Sequence, residues 1–489
     1  MWSLLPSLLL SACGTAPAAD PAPPPNLILV SIDTLRADRL GAFGNPNGLS
    51  PNLDRFAAEG ARFTQAYSQA VITAPSHASF FTSRYPVEEV GSGRAPALGP
   101  DKPLLAEVLK IYGYQTAAFV GGGDLNPAMK LNVGFDQYNS PEDFASLWRS
   151  APAALQWIDK RDHTKPFFTF IHGYDTHVHY LKPTPFGYLY GDLGYQGPGQ
   201  LAVRTGTERL VHGKLLNDTS PLDIVHSSYL RNYSEEAVAD LQARIGRSRR
   251  PAQSTNTDDI EFVRKIYDGA VSYADAQLGL LMVGLAERGL LENTAVMVLG
   301  DHGEQLGEYG YFNHCCGTHD EESHVPLILR LPDRMSEVPR GVVHTGLVEL
   351  VDVMPTLLEL AGAAPPGEAR GRSLMPAARG EDWKGRDYAF TTGNDRMRSV
   401  SARGPKGRLT YTGVYAYAAI VPDLIEAASL TGPGFDAQPA DLDLVEKAKM
   451  RTALVTWLRS LEPAPRQAPE ELPPALREAL RARGYWDVQ

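Results

Sequence analysis

The stretch Thr73-Ala-Pro-Ser-His-Ala-Ser-Phe-Phe-Thr-Ser-Arg-Tyr-Pro86 places a hydroxyl on a proline-stiffened turn. The small and apolar residues behind it suit a helix packed against a sheet. A threonine hydroxyl is a weak nucleophile at neutral pH unless a base or a metal ion lowers its pKa. The chain carries residues able to do this: Asp33 ends one apolar run, Asp301-His302 ends another, and Asp175-x-His177-x-His179 follows a third. Clusters so far apart in sequence meet only where a fold brings strand ends together.

Asp33 offers a hard oxygen ligand, or equally a helix cap at a strand-to-helix turn. Asp38 reads as a surface or capping carboxylate. Asp301 and His302 combine an oxygen with an imidazole nitrogen, a mixture suited to zinc and similar divalent ions. Gly303-Glu304 behind them leaves the backbone free to present both side chains. Asp33, Thr73, Asp301 and His302 together make a candidate metal site. The ligand set points to zinc first, and manganese, magnesium and calcium accept parts of it.

These residues need a scaffold, and the hydrophobic pattern supplies one. Asn26 to Ile32 is a continuous Leu/Ile/Val run, as expected of a strand buried on both faces. Leu104 to Tyr112 has helical spacing, and Gly113 to Val120 follows as a strand. Pro166 to Ile171 and Ala295 to Leu299 read as further strands, and Phe262 to Arg288 as a long amphipathic helix. Strands alternating with helices predict an α/β fold with a doubly wound, mostly parallel sheet, with ligands at the carboxyl ends of the strands. Asp33, Asp175 and Asp301 all sit just beyond such ends.

Residues 183–260 fit this rhythm poorly. They read as an insertion over the active-site face, either a lid or specificity element or a surface excursion. From about residue 366 the pattern changes to short strands, such as Arg408 to Val414, with helices between. A Pro-rich stretch at 462–474 sets off a last helix, Pro474 to Arg483. The chain divides accordingly into 1–25, 26–365 and 366–489. Its 489 residues are enough to bury a large core. A net charge of −11 argues against general affinity for nucleic acid or anionic membrane surfaces. Cys315 and Cys316 are adjacent and build no disulfide framework. Beyond the N-terminus, no apolar stretch reads as a membrane span.

The motifs, in order, resemble the sulfatase branch of the alkaline phosphatase superfamily. Ser31-Ile-Asp-Thr-Leu-Arg-Ala-Asp-Arg-Leu-Gly41 resembles its first metal-binding segment, and Ser50 to Gly60 the helix that follows. Asp301-His-Gly-Glu-Gln-Leu-Gly-Glu308 is similar to its second metal-binding segment. Val351 to Gly362, with Gly371-Arg-Ser-Leu-Met375, resembles a later helix and turn, and the region from 366 a small C-terminal α+β subdomain. The resemblance implies an alkaline-phosphatase-like fold and a metal-dependent ester hydrolase.

Sulfatases carry a Cys, less often a Ser, where this chain has Thr73, and oxidise it to formylglycine. Thr73 cannot become that aldehyde. Thr73-x-Pro-x-His77 is similar instead to nucleotide phosphodiesterase relatives, which brings in His77 as a catalytic residue. In those relatives an Asp-x-x-x-His pair binds a second zinc, which carries over to Asp175 and His179. In sulfatases the matching segment places a His near the sulfate, which fits His177. Transferase relatives have a metal-proximal His at the spacing of His314, while His319, His324 and His344 stay unranked. One or two divalent ions are thus expected, with Thr73 attacking a phosphate mono- or diester faster than a sulfate ester. The substrate would be a small-molecule, glycan or lipid ester. A phospho-headgroup transferase and an inactive binding protein are the other readings. Transferase relatives carry several N-terminal membrane helices that this chain lacks. The complete set of ligand types at the first site counts against an inactive protein.

Leu4 to Leu10 reads as the core of an export signal. It runs into Leu10-Ser-Ala-Cys13, which resembles the lipobox of bacterial lipoproteins, although no Lys or Arg precedes it. That resemblance implies lipidation of Cys13, a tether over 14–25, a periplasmic-face or outer-membrane location, and membrane contact through the anchor only. Cells fed a radioactive fatty acid are expected to label the protein, and Cys13→Ser to release it unlabelled. An unlabelled wild type would leave only an ordinary secretory signal.

Overall fold

A computed structural model describes residues 23–89, 102–141, 144–178, 180, 182–191, 257–308, 312–314, 317–393, 399–412, 425–430, 439–440 and 442–461. Cys13, Cys315, Cys316, most of the expected insertion and the expected last helix lie outside them.

The main sheet uses strands β1 (Asn26–Ile32), β2 (Ala61–Tyr67), β3 (Gln115–Phe119), β4 (Gln137–Asn139), β5 (Phe167–Gly173) and β6 (Thr294–Gly300). After a small hairpin, β7 (Gln305–Leu306) with β8 (Phe312–Asn313), it is completed by β9 (His324–Val325), β10 (Leu327–Arg330) and β11 (Val342–Glu349). Its order is β11-β2-β10-β6-β1-β5-β3-β4, with β9 pairing off β2. The block β6-β1-β5-β3-β4 is parallel throughout, while β10 runs antiparallel to both neighbours.

Alternation along each central strand feeds two cores. Leu27, Leu29, Phe168, Phe170, Met297 and Leu299 point to one face, under α2 (Thr73–Thr82) and the helices Leu105–Ile111 and Val353–Leu360. Ile28, Val30, Ile32, Ile171, Val296 and Val298 point to the other, under α1 (Pro51–Glu59) and the helices Leu147–Lys160 and Thr257–Glu287. The doubly wound α/β fold expected from the sequence is the one observed. The expected strand Asn26–Ile32 recurs as read, and the other expected strands and the helices expected at 50–60, 104–112, 262–288 and 351–362 recur with ends shifted by a few residues. The Thr257–Glu287 helix corrects one expectation: over Ile260–Glu287 it is long and apolar enough to cross a membrane. Here it is a core helix, with Tyr267, Ala270, Val271, Ala274 and Leu278 fully buried.

A second antiparallel sheet follows, β12 (Ala389–Thr392), β13 (Ser399–Gly404), β14 (Gly407–Thr412), β15 (Ile425–Leu430) and β16 (Pro439–Ala440) in that order, with the helix Leu444–Ser460. It is joined to the main body close to Thr73. Thr392 N donates to Gln69 O (2.9 Å) and Thr391 Oγ1 to Ser68 O (2.7 Å), so β12 holds the loop that leads into α2.

Register sets the functional end of the sheet. Ile32 is opposite Gly300 on one side and Gly173 on the other, so Asp33, Asp301 and Tyr174 leave the sheet at one level. A Cβ on Gly300 would stand 2.5 Å from the carbonyl oxygen of Leu35, a backbone atom that cannot yield without moving the Asp33 turn. Gly300→Ala should cost about 1–3 kcal/mol, read as a lowered denaturation midpoint. Gly367→Ala is the control, since nothing lies within 4 Å of that Cβ. Equal midpoints for the two variants would contradict this account.

Candidate metal centre

The turn after β1 is fixed by its backbone. Asp33 N donates to Gly173 O (3.0 Å), and Asp33 O accepts from Thr34 Oγ1 (2.7 Å) and Thr176 Oγ1 (2.5 Å). Thr34 sits in the left-handed region (φ 57°), which turns its N–H onto Asp301 Oδ1 at 3.1 Å. The buried guanidinium of Arg36 then ties the two acidic segments together. It binds both oxygens of Asp38 (2.8 and 2.7 Å), Glu304 O (2.9 Å) and Glu308 Oε1 (3.0 Å). Asp38, expected at the surface, is instead half of this inner ion pair.

Thr73 is the first residue of α2, and Ser76 one turn on donates to Asp301 O at 2.7 Å. The Thr73 hydroxyl lies 3.1 Å from Asp33 Oδ2 and 3.4 Å from His302 Nε2. One donor atom each of Asp33, Asp301 and His302 falls within 4.8 Å of the others, the one such group of three among the described residues. All four side chains are fully buried. Burial raises the pKa of Asp33 well above the carboxylate range, and the nearby Asp301 raises it further. Asp301 is likewise raised by burial, against hydrogen bonds from the His302 and Thr34 backbone, with Asp124 adding to the rise. Burial keeps His302 neutral. Asp33 Oδ1 and Asp301 Oδ2 have no hydrogen-bond partner among the described residues. Two buried acids with orphaned oxygens beside a neutral imidazole suit a divalent cation, which would turn their repulsion into attraction.

Other expected residues are placed differently. His77 lies beneath the centre: Nδ1 meets Thr73 O at 2.7 Å and Asp301 Oδ2 at 3.6 Å, and the ring packs on Phe80, Phe81 and Phe170. Burial lowers its pKa to about 3. Here the neutral ring holds the Thr73 carbonyl and so positions the hydroxyl. Asp175 turns one oxygen toward a helix. Its Oδ2 accepts from Leu147 N at 2.8 Å, at the start of the Leu147–Lys160 helix, and burial raises its pKa to about 6. The turn after β5 sends this carboxyl back to the helix, so no second group of ligands with His314 forms among the described residues. His179 lies outside them.

His314 packs on His302 of the centre, and His177 packs on His314. Ring centroids run His177 to His314 at 5.1 Å and His314 to His302 at 4.5 Å. Glu304 holds His314 Nδ1 at 3.2 Å. Of the unranked histidines, His319 meets Arg408 (2.9 Å), His324 bonds Thr64 O (2.8 Å) and His344 packs on Trp383. None of the three joins the centre. The sequence reading missed His172, Asp124 and Glu304. His172 ends the apolar run of β5, and Asp124 follows the Gly121-Gly-Gly loop after β3. A rule counting every polar residue just past a buried strand would have found Asp124, whereas His172 lies within its strand.

The charge pair gives a signed expectation for protein stripped of divalent ions. A carboxyl raised in the folded state favours folding below its unfolded pKa of about 3.9, and that contribution is lost as the pH rises. Asp301→Asn removes one charge and keeps the oxygen that accepts from Thr34. Its midpoint, relative to wild type, should therefore climb as the pH is raised, the histidines being common to both proteins. A difference that stays flat or shrinks would contradict the buried pair.

With the geometry described, the relatives can be compared. The chain is 25% identical over 439 residues to an N-acetylglucosamine-6-O-sulfatase of Bacteroides thetaiotaomicron, covering 78% of this chain and 77% of the relative. Its fold is similar to a phosphonate monoester hydrolase of Agrobacterium radiobacter (TM-score 0.64, 18% identity, 89% of this chain and 95% of that one). It is also similar to a protein solved with its substrate D-glucosamine-2-N,6-O-disulfate (TM-score 0.61, 20% identity, 89% and 97%). The sequence model of the sulfatase family matches residues 25–363, the whole stretch that builds the main sheet and the acidic centre, and the chain belongs to that family.

Proposed function

We propose that this sulfatase-family protein is a metal-dependent hydrolase of phosphate esters, with Thr73 as its nucleophile. The observation that carries the reading is the Thr73 hydroxyl within 3.1 Å of Asp33 Oδ2 and 3.4 Å of His302 Nε2. A secondary alcohol at this position cannot be oxidised to an aldehyde, so the formylglycine route used elsewhere in the family is closed to it. Members of the family bind a divalent metal, and Asp33, Thr73, Asp301 and His302 are the residues that would hold one here. When bound, the ion supplies positive charge that lowers the hydroxyl's pKa and stabilises charge on the transferring group.

The protein's own groups do the rest. The Thr73 hydroxyl releases its proton toward Asp33 Oδ2, and its oxygen forms the new bond to phosphorus while the ester oxygen departs. The His314 ring, held by Glu304 and with its centroid 4.5 Å from that of His302, is the group assigned to give a proton to the departing oxygen, with His177 packed against it. Water then cleaves the phosphothreonine and returns the hydroxyl. A phosphate monoester carries one more negative charge than a sulfate monoester, so a cationic site favours it.

Aryl phosphates should be turned over faster than aryl sulfates. Thr73→Ala should lose roughly 10³-fold or more in kcat, while Thr73→Ser keeps much of it because only the hydroxyl is needed. Mass spectrometry of acid-quenched enzyme should find phosphate on Thr73. An aryl sulfate as the better substrate, with a near-neutral Thr73→Ala, would overturn the assignment. Asp301→Ala and His302→Ala should abolish both turnover and uptake of divalent ions without unfolding the protein.

A further inference from the structure

His172, the penultimate residue of β5, is fully buried against the centre, and no role follows for it from anything above. Its ring is set edge-on to His77 (centroids 5.1 Å) and Tyr174 (4.7 Å), which fixes its plane. Nδ1 accepts from Gly121 N at 3.4 Å. A ring nitrogen that accepts carries no proton, so the ring's proton sits on Nε2. Nε2 lies 3.4 Å from Asp33 Oδ2 and has no hydrogen-bond partner among the described residues.

That carboxylate oxygen is the one that accepts from Thr73 Oγ1. Nε2–H of His172 is a second donor group, 3.4 Å from the same oxygen. We propose that His172 is a positioning residue of the metal centre: its Nε2–H occupies Asp33 Oδ2 and leaves Asp33 Oδ1 to the cation. The inference rests on the metal-dependent reading above. It also excludes His172 as a ligand. An unprotonated Nε2 would put the proton on Nδ1, where it would meet the Gly121 N–H head-on. Gly121 is itself irreplaceable here, since a Cβ would stand 2.4 Å from Ala145 O and 2.6 Å from the Tyr174 ring.

The test titrates ion-free protein with Mn²⁺ and with Zn²⁺. Loss of a hydrogen bond to a ligand's far oxygen typically costs about 10–100-fold in metal affinity, so His172→Leu should lose that much and His172→Gln, which keeps an N–H donor, should lose less than about threefold. Nitrogen-15 spectra of histidine-labelled wild type should show the His172 proton on Nε2 with and without the ion. This measurement needs no variant and decides the matter if His172→Leu fails to fold. Wild-type affinity in His172→Leu, equal losses in both variants, or a proton on Nδ1 would each overturn the proposal. A wild type that takes up neither ion removes the metal-dependent reading itself, and this inference with it.

Discussion

Two carboxyl groups buried side by side are the constraint on which this structure turns. Asp33 and Asp301 are fully removed from water, and among the described residues the side chains within salt-bridge distance of them are histidines that burial keeps neutral. Such a pair is unfavourable alone, and the fold tolerates it because other interactions are arranged around it. The register of β1 between β5 and β6 brings the two segments to one level with no freedom to separate. Each carboxyl has one oxygen satisfied, Asp33 Oδ2 by Thr73 and Asp301 Oδ1 by Thr34 N. Each is left with one orphan, and the two orphans define where a cation belongs.

The shell around the pair is built from neutral rings and backbone dipoles. His77, His172 and His302 are all held uncharged by burial, so they contribute direction more than charge. Net positive charge at this centre therefore has to come from outside the described side chains, which is the physical case for a metal-loaded state in a family whose members bind one. Arg36, the one guanidinium near the acidic segments that is wholly buried, is spent on Asp38, Glu304 O and Glu308. Its role is to brace the two loops against each other.

The C-terminal sheet takes part in the same bracing. Arg403 and Arg408 reach Asp320 (3.5 and 3.4 Å), and Arg408 also bonds Thr318 O (2.7 Å), just beyond the second acidic segment. Glu349, at the end of β11, is shared by Tyr85 OH (2.8 Å), Phe390 N (2.7 Å) and Arg386 (3.0 Å). The loop before Thr73 is thus clamped between the main sheet and β12. A side chain at the start of a helix keeps its position only when held in this way, because an unheld first turn frays.

Much of this was legible in the sequence. The unbroken apolar runs ending in Asp33 and Asp301 mark strands buried on both faces, and a parallel sheet delivers such ends to one edge by its own geometry. Thr73, Asp33, Asp301 and His302 therefore follow from residue type and position along the chain. Asp175 and His77 do not, because their roles hang on where a side chain turns after the strand or helix has been placed. Asp175 swings back to the first N–H of a helix about thirty residues earlier in the chain, and His77 folds onto the carbonyl one turn behind it. His172 was invisible for the opposite reason. A histidine within an apolar strand carries no local signal, and only the pairing of β5 beside β1 brings its Nε2 to Asp33. Sequence determined which atoms can do chemistry, since that is fixed by residue type and strand pattern. Tertiary structure decided which of them share a space, since a rotation about one or two side-chain bonds moves a ligand atom by several ångströms.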